Sequence, residues 1–198
     1  MTAITMTGGQ AVVESLKVND VDIVVGLIGS STLEILDALY DCKDIRYIGC
    51  HDERSGIIMS DAYARMKNKH GVFLAGQAGP GATNTITGLA QAKAAFSPVV
   101  SLAGAILSEH EGMDAFQEID QQSLFTPVTK RSWKISDTEN IHSVLQEAFK
   151  VAITPRMGPV NINLPRDIMG QSADFQNPSK YQIDKLPEAK VSSLMKAV

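Results

Sequence analysis

The sequence predicts an α/β fold, built on a mostly parallel sheet with helices on both faces. Short apolar runs rich in β-branched residues alternate with segments of about 10–15 residues that carry apolar side chains at helical spacing. This alternation is typical of parallel sheets, because each parallel pair of strands needs a crossover that is usually a helix. The chain has 198 residues, of which 44% are hydrophobic, and this suffices for one sizeable core.

The repeating pattern begins near the start of the chain. A helix over residues 10–18 places Val12 and Leu16 on one face, and the β-branched run at 22–25 predicts a buried strand that ends at Gly26. Further strands are predicted at 45–48, 72–75, 99–103, 132–135 and 159–164, and further helices at 53–67, 82–96 and 138–153.

One more helix is predicted after the first strand. Ser30 and Ser31 are candidate N-caps, and Glu34 follows Ser31 at the spacing of a capping box. The helix would then continue through Leu36 and Leu39, which fall on one face.

The composition changes after Gly170. Residues 171–190 are polar, contain Pro178 and Pro187, and show no sustained period. We therefore expect a domain over residues 1–170, followed at 171–198 by a loosely attached linker toward a missing domain.

Composition also restricts the function. A net charge of −4 argues against a nucleic-acid partner, which requires a basic face. No apolar run approaches the roughly 20 residues of a membrane helix, and the first ten residues lack the features of a secretory signal. Cys42 and Cys50 fit no metal spacing, so we expect free thiols, no metal site and a cytoplasmic protein.

Four segments of the sequence could carry chemistry. They are 26–31 (GLIGSS), 51–54 (HDER), 76–84 (GQAGPGATN) and, in a long loop, 114–118 (DAFQE). The first three follow predicted strands directly, and ligands of parallel sheets bind at the carboxyl ends of the strands.

The residues alone leave structural and functional interpretations open. Segment 76–84 fits a tight strand-to-helix turn or a helix N-terminus that offers free N–H groups to a ligand. A dinucleotide fingerprint is disfavoured, because Asn84 stands at the third glycine position and no acid follows near Gly104. Glu53 fits either a helix-start charge or a buried acid–base group. Three methionines are expected in the core, and two arginines in structural ion pairs: Met59, Met66, Met113, Arg65 and Arg166.

Taken together, the four segments resemble the N-terminal, pyrimidine-binding domain of thiamin diphosphate-dependent enzymes of the acetolactate synthase-like superfamily. The resemblance covers residues 10–170, and its most specific stretch, 51–65, is similar to the family pattern H-E-x-x-A…M-A-D-G-Y-A-R. The segments 79–84 (GPGATN), 114–118 (DAFQE), 158–160 (GPV) and 164–167 (LPRD) follow in family order.

The resemblance assigns roles to individual positions. Glu53 matches the catalytic glutamate that hydrogen-bonds the 1′-nitrogen of the cofactor's aminopyrimidine and so promotes removal of the thiazolium proton. Gln117 matches a glutamine that reaches the active site from a loop. Gly29, Ser30, Pro80 and Asn84, together with Glu53, match positions that line the cofactor site.

The resemblance also implies partners. In the family, magnesium and the diphosphate are held by a domain marked by Gly-Asp-Gly, a sequence that this chain lacks, and that domain belongs to another subunit. The implied assembly is a homodimer or homotetramer that acts on a 2-oxo acid, and the family allows FAD as a second cofactor. Two alternative functions stay open for this chain. It could be a natural small subunit of a split 2-oxo acid decarboxylase, or a non-catalytic interaction module that retains the fold.

Three positions depart from the family pattern. Asp52 stands where a histidine is frequent, Ile28 where acetolactate synthases commonly have proline, and Gln77 where the family has a small hydroxyl residue. Related decarboxylases, oxidases, carboligases and acetyltransferases share the remaining motifs, so the resemblance leaves the exact reaction open.

Overall fold

A computed structural model describes residues 3–183 of the chain. The strands are β1 (Ile4–Thr7), β2 (Ile23–Leu27), β3 (Arg46–Gly49), β4 (Gly71–Ala75), β5 (Val99–Ala105), β6 (Ser132–Lys134), β7 (Val160–Pro165) and β8 (Ser172–Phe175). The α-helices are α1 (Gly8–Val18), α2 (Leu33–Asp41), α3 (Glu53–Lys67), α4 (Pro80–Ala94), α5 (Gln121–Phe125), α6 (Ile141–Ile153) and α7 (Arg166–Gly170). Short 3-10 turns occur at Ser30–Thr32, Ser108–His110, Thr126–Val128 and Thr138–Asn140.

The main sheet has six parallel strands in the order β3-β2-β4-β5-β7-β6. The chain moves from β2 outward to β3, and then returns to place β4 on the other side of β2. The strand order therefore reverses between β2 and β4, and the crevice of such a sheet opens at the carboxyl ends of these two strands.

Helices cover both faces of the sheet, as the sequence predicted. One face packs against α1, α2, α6 and α7, with Leu16, Ile35 and Phe149 among the fully buried side chains. The other face packs against α3, α4 and α5, with Ile57 and Phe73 at its centre. The predicted α/β architecture is thus confirmed.

Close packing of α3 on α4 depends on the small residues of α4. A Cβ atom on Gly88 would lie 2.0 Å from Cγ2 of Ile57, so only glycine fits at this crossing. Ala82 and Ala92 are also fully buried. Gly88 therefore serves the contact between two helices of the same chain.

The predicted capping box after β2 is wrong. Helix α2 begins at Leu33 after a 3-10 turn, and its N-cap Thr32 makes no side-chain cap hydrogen bond. The Ser31 hydroxyl instead accepts from the backbone N–H of Ala78, 3.2 Å away. Glu34 pairs with Arg166, whose Nε lies 3.1 Å from Oε1. Ser31 and Glu34 therefore bond to residues that are distant in the sequence, and neither side chain caps the helix.

The expected loose attachment after Gly170 is wrong for the residues that follow directly. Strand β8 pairs antiparallel with β1, and Phe175 is only 3% exposed against the core. The two strands come from opposite ends of the chain, so neither shows a partner within its own sequence neighbourhood. Residues 184–198 lie outside the described residues, and the assignment of 171–198 as a linker stays a prediction.

Several single-residue expectations can also be compared with the structure. Met59, Met66 and Met113 were expected in the core, and all three are exposed, because they lie on the outer faces of α3 and of the long loop. The structural ion pairs are confirmed, since Arg65 lies 3.0 Å from Asp61 and Arg166 pairs with Glu34. Both cysteines are free thiols. Within residues 3–183, every helix is too short or too polar to cross a membrane.

Candidate active site

Glu53 lies at the first position of α3, directly beyond the carboxyl end of β3. Asp52 caps this helix, because its carboxylate accepts from the backbone N–H groups of Arg54 at 2.8 Å and Ser55 at 3.3 Å. Its ion pair with the Arg54 guanidinium, aided by these N–H groups, lowers the pKa of Asp52 to about 2. The capped start fixes Glu53, which is 6% exposed and adjacent to the positive end of the helix dipole.

Asn84 is the direct partner of Glu53. Its Nδ2 donates to Oε2 of the carboxylate at 2.9 Å, and the packing of α3 on α4 brings the two side chains together. The second carboxylate oxygen, Oε1, accepts no hydrogen bond from the described residues. A Cβ atom on Gly81 would lie 3.5 Å from Oε1, in van der Waals contact, so the glycine keeps a side chain away from this oxygen.

The start of α4 depends on a glycine and a proline. Gly79 has a φ of 61°, and a Cβ atom there would lie 2.4 Å from the carbonyl oxygen of Gln117. Both the left-handed backbone and this close approach therefore require glycine. Pro80 occupies the first turn of α4, where its missing N–H is not needed. Pro80 is one of the positions that match the cofactor site of the family. It lies between Asn84, one turn further along α4, and the loop that carries Gln117.

The ends of β2 and β4 meet through two further glycines. A Cβ atom on Gly29 would lie 2.3 Å from the backbone of Gly76, so the two backbones touch at the switch point of the sheet. The N–H of Ser31 donates to the Gly76 carbonyl at 3.1 Å. Gly29 therefore serves the close approach of two turns.

Ser30 and Gln117 are joined by a residue that the sequence marked only as a departure from the family. The backbone N–H and the hydroxyl of Ser30 both donate to Oε1 of Gln77, each at 3.0 Å. Nε2 of Gln77 in turn donates to Oε1 of Gln117. At position 77 the family has a small hydroxyl residue and this chain has a glutamine. That difference was the signal in the sequence that could have indicated a contact across the site.

The loop that carries Gln117 is held by its own acidic residue. Glu118 accepts from the N–H groups of Gly112 at 2.5 Å and Ala115 at 2.9 Å, and these bonds lower the pKa of its carboxyl. Asp167 holds the start of the loop by accepting from the N–H of Ser108 at 3.0 Å. Phe116, beside Gln117, is 85% exposed.

The site therefore consists of two adjoining clusters at one edge of the sheet. Glu53 and Asn84 form the first, and Ser30, Gln77 and Gln117 form the second around a cavity of about 200 Å³. Gly79 to Gly81 lie between the clusters. His51 is exposed, and within residues 3–183 no group of three acidic, histidine or cysteine residues could hold a metal ion.

This combination of a parallel sheet, a buried glutamate after one strand and a Gly-Pro-Gly turn after the next defines the class of a cofactor-binding α/β domain. The family model of the N-terminal TPP binding domain of thiamine pyrophosphate enzymes matches residues 6–124. Thiamine pyrophosphate is another name of thiamin diphosphate, and the chain belongs to this family, as the sequence motifs predicted.

The chain is similar to the large subunits of acetolactate synthases from several organisms. The chain is 39% identical over 178 residues to a probable acetolactate synthase large subunit of Methanocaldococcus jannaschii, with 90% of this chain and 29% of the relative covered. It is 36% identical over 178 residues to the acetolactate synthase large subunit of Corynebacterium glutamicum, with 90% and 28% covered. Identity to the acetolactate synthase isozyme 2 large subunit of Escherichia coli is 39% over 171 residues, with 86% and 31% covered. The chain thus spans slightly less than a third of each of these relatives.

Proposed function

We propose that this chain supplies the pyrimidine-binding half of the active site of a thiamin diphosphate-dependent enzyme that acts on 2-oxo acids, as acetolactate synthases do. The buried Glu53 carboxylate, held on one oxygen by Asn84, is the observation that carries the proposal. A carboxylate used only as a helix-start charge would gain nothing from burial next to a second helix.

The residues around Glu53 fit an aminopyrimidine ring. Oε1 of Glu53 is unbonded among the described residues, and Gly81 places no side chain against it, since a Cβ there would lie 3.5 Å from Oε1. A ring nitrogen at Oε1 would complete the hydrogen bonding of the carboxylate. Gly29, Ser30 and Pro80 lie at the same edge of the sheet. Gly29 and Ser30 are at the start of the 3-10 turn after β2, and Pro80 is at the start of α4.

Glu53 would act by holding a proton between Oε1 and the ring nitrogen. Thiamin diphosphate, when bound, supplies a thiazolium carbon acid and an electron sink for decarboxylation. Asn84 keeps the carboxylate in one orientation, and burial limits its exchange with water. Such proton transfers contribute about 10²–10⁴-fold to rates.

We further propose that magnesium and the diphosphate are bound by a separate domain, on the same polypeptide or on a separate subunit. The described residues hold no metal cluster, and the relatives are about three times longer than the match. Phosphate and metal contacts carry much of the charge of the cofactor, so this chain by itself should bind thiamin diphosphate weakly. FAD as a second cofactor and a cytoplasmic location remain predictions.

Self-association through α3 and α4 forms part of the proposal. Large apolar side chains that a second copy would cover are exposed on the outer face of α3 and in the turn after α4, namely Ile58, Met59, Met66 and Phe96. Replacement of the highly exposed Met66 by Glu should weaken dimers or tetramers of the full polypeptide in sedimentation velocity runs. The matched control, Tyr40→Glu, alters an equally exposed side chain on the opposite face of the sheet and should leave association unchanged. Wild-type sedimentation as a monomer at high concentration would contradict the proposed contact.

The proposed function can be tested with the full polypeptide, thiamin diphosphate and magnesium. Release of carbon dioxide from a 2-oxo acid, with formation of a carboligation product, is the expected result. Activity that appears only after addition of a separately encoded diphosphate-binding subunit would identify the split decarboxylase instead. Cofactor binding with no turnover of any 2-oxo acid would favour the non-catalytic module.

A further inference from the structure

The orientation of the Gln77 amide is fixed by a backbone donor. An amide side chain can be turned by 180°, which exchanges its oxygen and nitrogen. The backbone N–H of Ser30 can only donate, and it lies 3.0 Å from one end of the Gln77 amide. That end must be the oxygen, so the nitrogen of Gln77 faces Gln117.

This orientation determines that of Gln117. Because Nε2 of Gln77 donates, the atom of Gln117 that meets it must be the acceptor Oε1. Both N–H groups of Gln117 Nε2 are then without a partner among the described residues. Gln117 therefore has two N–H donors available to whatever enters the adjoining cavity, while its amide oxygen is engaged by Gln77.

The backbone of Gln117 is held as firmly as its side chain. Its φ of 66° is unfavourable for a residue with a Cβ, and the surrounding contacts maintain it. The Gln117 carbonyl packs against Gly79, and the carboxylate of Glu118 fixes the turn from Gly112 to Ala115. The backbone on both sides of Gln117 is thus held, and the hydrogen bond from Gln77 restrains its side-chain amide.

We propose that Gln77 is a positioning residue that makes Gln117 a hydrogen-bond donor to an anionic or carbonyl oxygen of the 2-oxo acid. The lining of the cavity of about 200 Å³ includes Ser30, Gln77, Gln117 and Arg166. Arg166 pairs with Glu34 through Nε, and its other guanidinium N–H groups can donate to an oxygen of a ligand. This inference rests on the proposed function, because it identifies which part of the substrate the loop glutamine recognises.

A glutamate at position 77 reverses the hydrogen-bond pattern. Gln77→Glu keeps an acceptor for Ser30 but presents a second acceptor to Gln117, whose amide must then turn its Nε2 away from the cavity. We expect kcat/KM of the full polypeptide for the 2-oxo acid to fall about 10-fold or more, the cost of replacing a donor by an acceptor toward a charged group. Gln77→Met is uncharged and similarly long. It frees the Gln117 amide and removes the acceptor for Ser30, but it presents no new acceptor to Gln117, so its loss should be smaller, about 2–5-fold.

A double-mutant cycle separates this role from a direct effect of the new charge. In the Gln117→Met background, both Gln77 variants should change kcat/KM by less than about 2-fold, because the group through which they act is gone. Proton exchange at the thiazolium carbon, measured without substrate, should stay within about 2-fold of wild type in every Gln77 variant.

Three outcomes would overturn the inference. They are an unchanged kcat/KM in Gln77→Glu, a full loss that persists in the Gln117→Met background, and slowed thiazolium proton exchange in either Gln77 variant. Failure of the proposed function is separate from all three, since it would appear as normal exchange in a Glu53 variant.

Discussion

At the scale of single residues, two uncharged amides determine what the site can do. Asn84 donates to Glu53 and leaves one carboxylate oxygen unbonded, while Gln77 donates to Gln117 and leaves its N–H groups unbonded. In both pairs the supporting amide donates a hydrogen bond to one oxygen of its partner. The second polar atom of the partner, Oε1 of Glu53 or Nε2 of Gln117, is then available to a ligand. The site is thus prepared by hydrogen bonds that lie within the chain itself.

Asn84 provides a direct test of this support. Asn84→Ala removes the donor to Oε2 of Glu53, and we expect turnover of the full polypeptide to fall roughly 10-fold, a typical effect of one lost hydrogen bond to a charged group. The neighbouring Thr83→Ala is the control, because its hydroxyl bonds only the Pro80 carbonyl within the same helix turn. Equal activity of both variants would show that Glu53 needs no orientation by Asn84.

His70 makes stability depend on pH at a position remote from the site. It is buried, its Nε2 lies 2.9 Å from the Phe149 carbonyl, and burial lowers its pKa from 6.5 to about 4. Between these two values the unfolded chain binds more protons than the folded chain, so stability falls as the pH falls from 6.5 to 4. The full effect is roughly 3 kcal/mol in the free energy of unfolding.

Urea unfolding at a series of pH values can measure this contribution. The wild-type protein should lose stability over that interval more steeply than His70→Gln, which keeps a donor but does not titrate. Parallel pH profiles of the two proteins would contradict the assignment.

At the scale of elements, the two helices of the site begin by different devices. Helix α3 starts at an aspartate cap, whereas α4 starts at a left-handed glycine followed by proline. Each helix start determines the position of a site residue: Glu53 at the start of α3 and Asn84 in the second turn of α4. The contact between these two residues then follows from the close crossing at Gly88.

Strand β8 provides a prediction at the same scale. Phe175 is buried and its ring lies 4.7 Å from that of His142, so Phe175→Ala should lower the free energy of unfolding by about 3 kcal/mol. The exposed Ser172→Ala on the same strand is the control and should have little effect. Equal urea midpoints for both variants would mean that the strand contributes no packing energy.

The sequence predicted the elements of the main sheet well, because each has a local periodic pattern. Helix α3 matches its predicted bounds at 53–67, with an aspartate cap immediately before it. The pairing of β1 with β8 was missed because it joins the two ends of the chain. The capping box was misassigned because Ser31 found a partner in Ala78, 47 residues away.

The candidate site was predictable in its residue types and only in part in its contacts. Motifs indicated Glu53, Asn84 and Gln117, and the structure places them at one edge of the sheet. The bridge through Gln77 required knowledge of which two turns meet, and this depends on the approach of Gly29 to Gly76. Long-range backbone contacts of this kind leave no periodic pattern in a sequence.

At the scale of the whole molecule, the candidate site lies at one exposed edge of the sheet. The edge that carries Glu53 and Gln117 also exposes Ile28 and Phe116, apolar side chains that a covering domain would bury. The chain spans slightly less than a third of each of the three relatives, and under the proposed function the covering domain would come from outside the matched part.

The measurement that tests the central claim is proton exchange at the thiazolium carbon of bound thiamin diphosphate, in the wild-type full polypeptide and in Glu53→Gln. Glutamine is nearly isosteric and still bonds the ring nitrogen, but it cannot hold the proton there as a carboxylate does. We predict that the exchange rate in the variant falls by about 100-fold or more, with the fold and most of the cofactor affinity retained. Equal exchange rates in the two proteins would contradict the role of Glu53 and, with it, the proposed function of this chain.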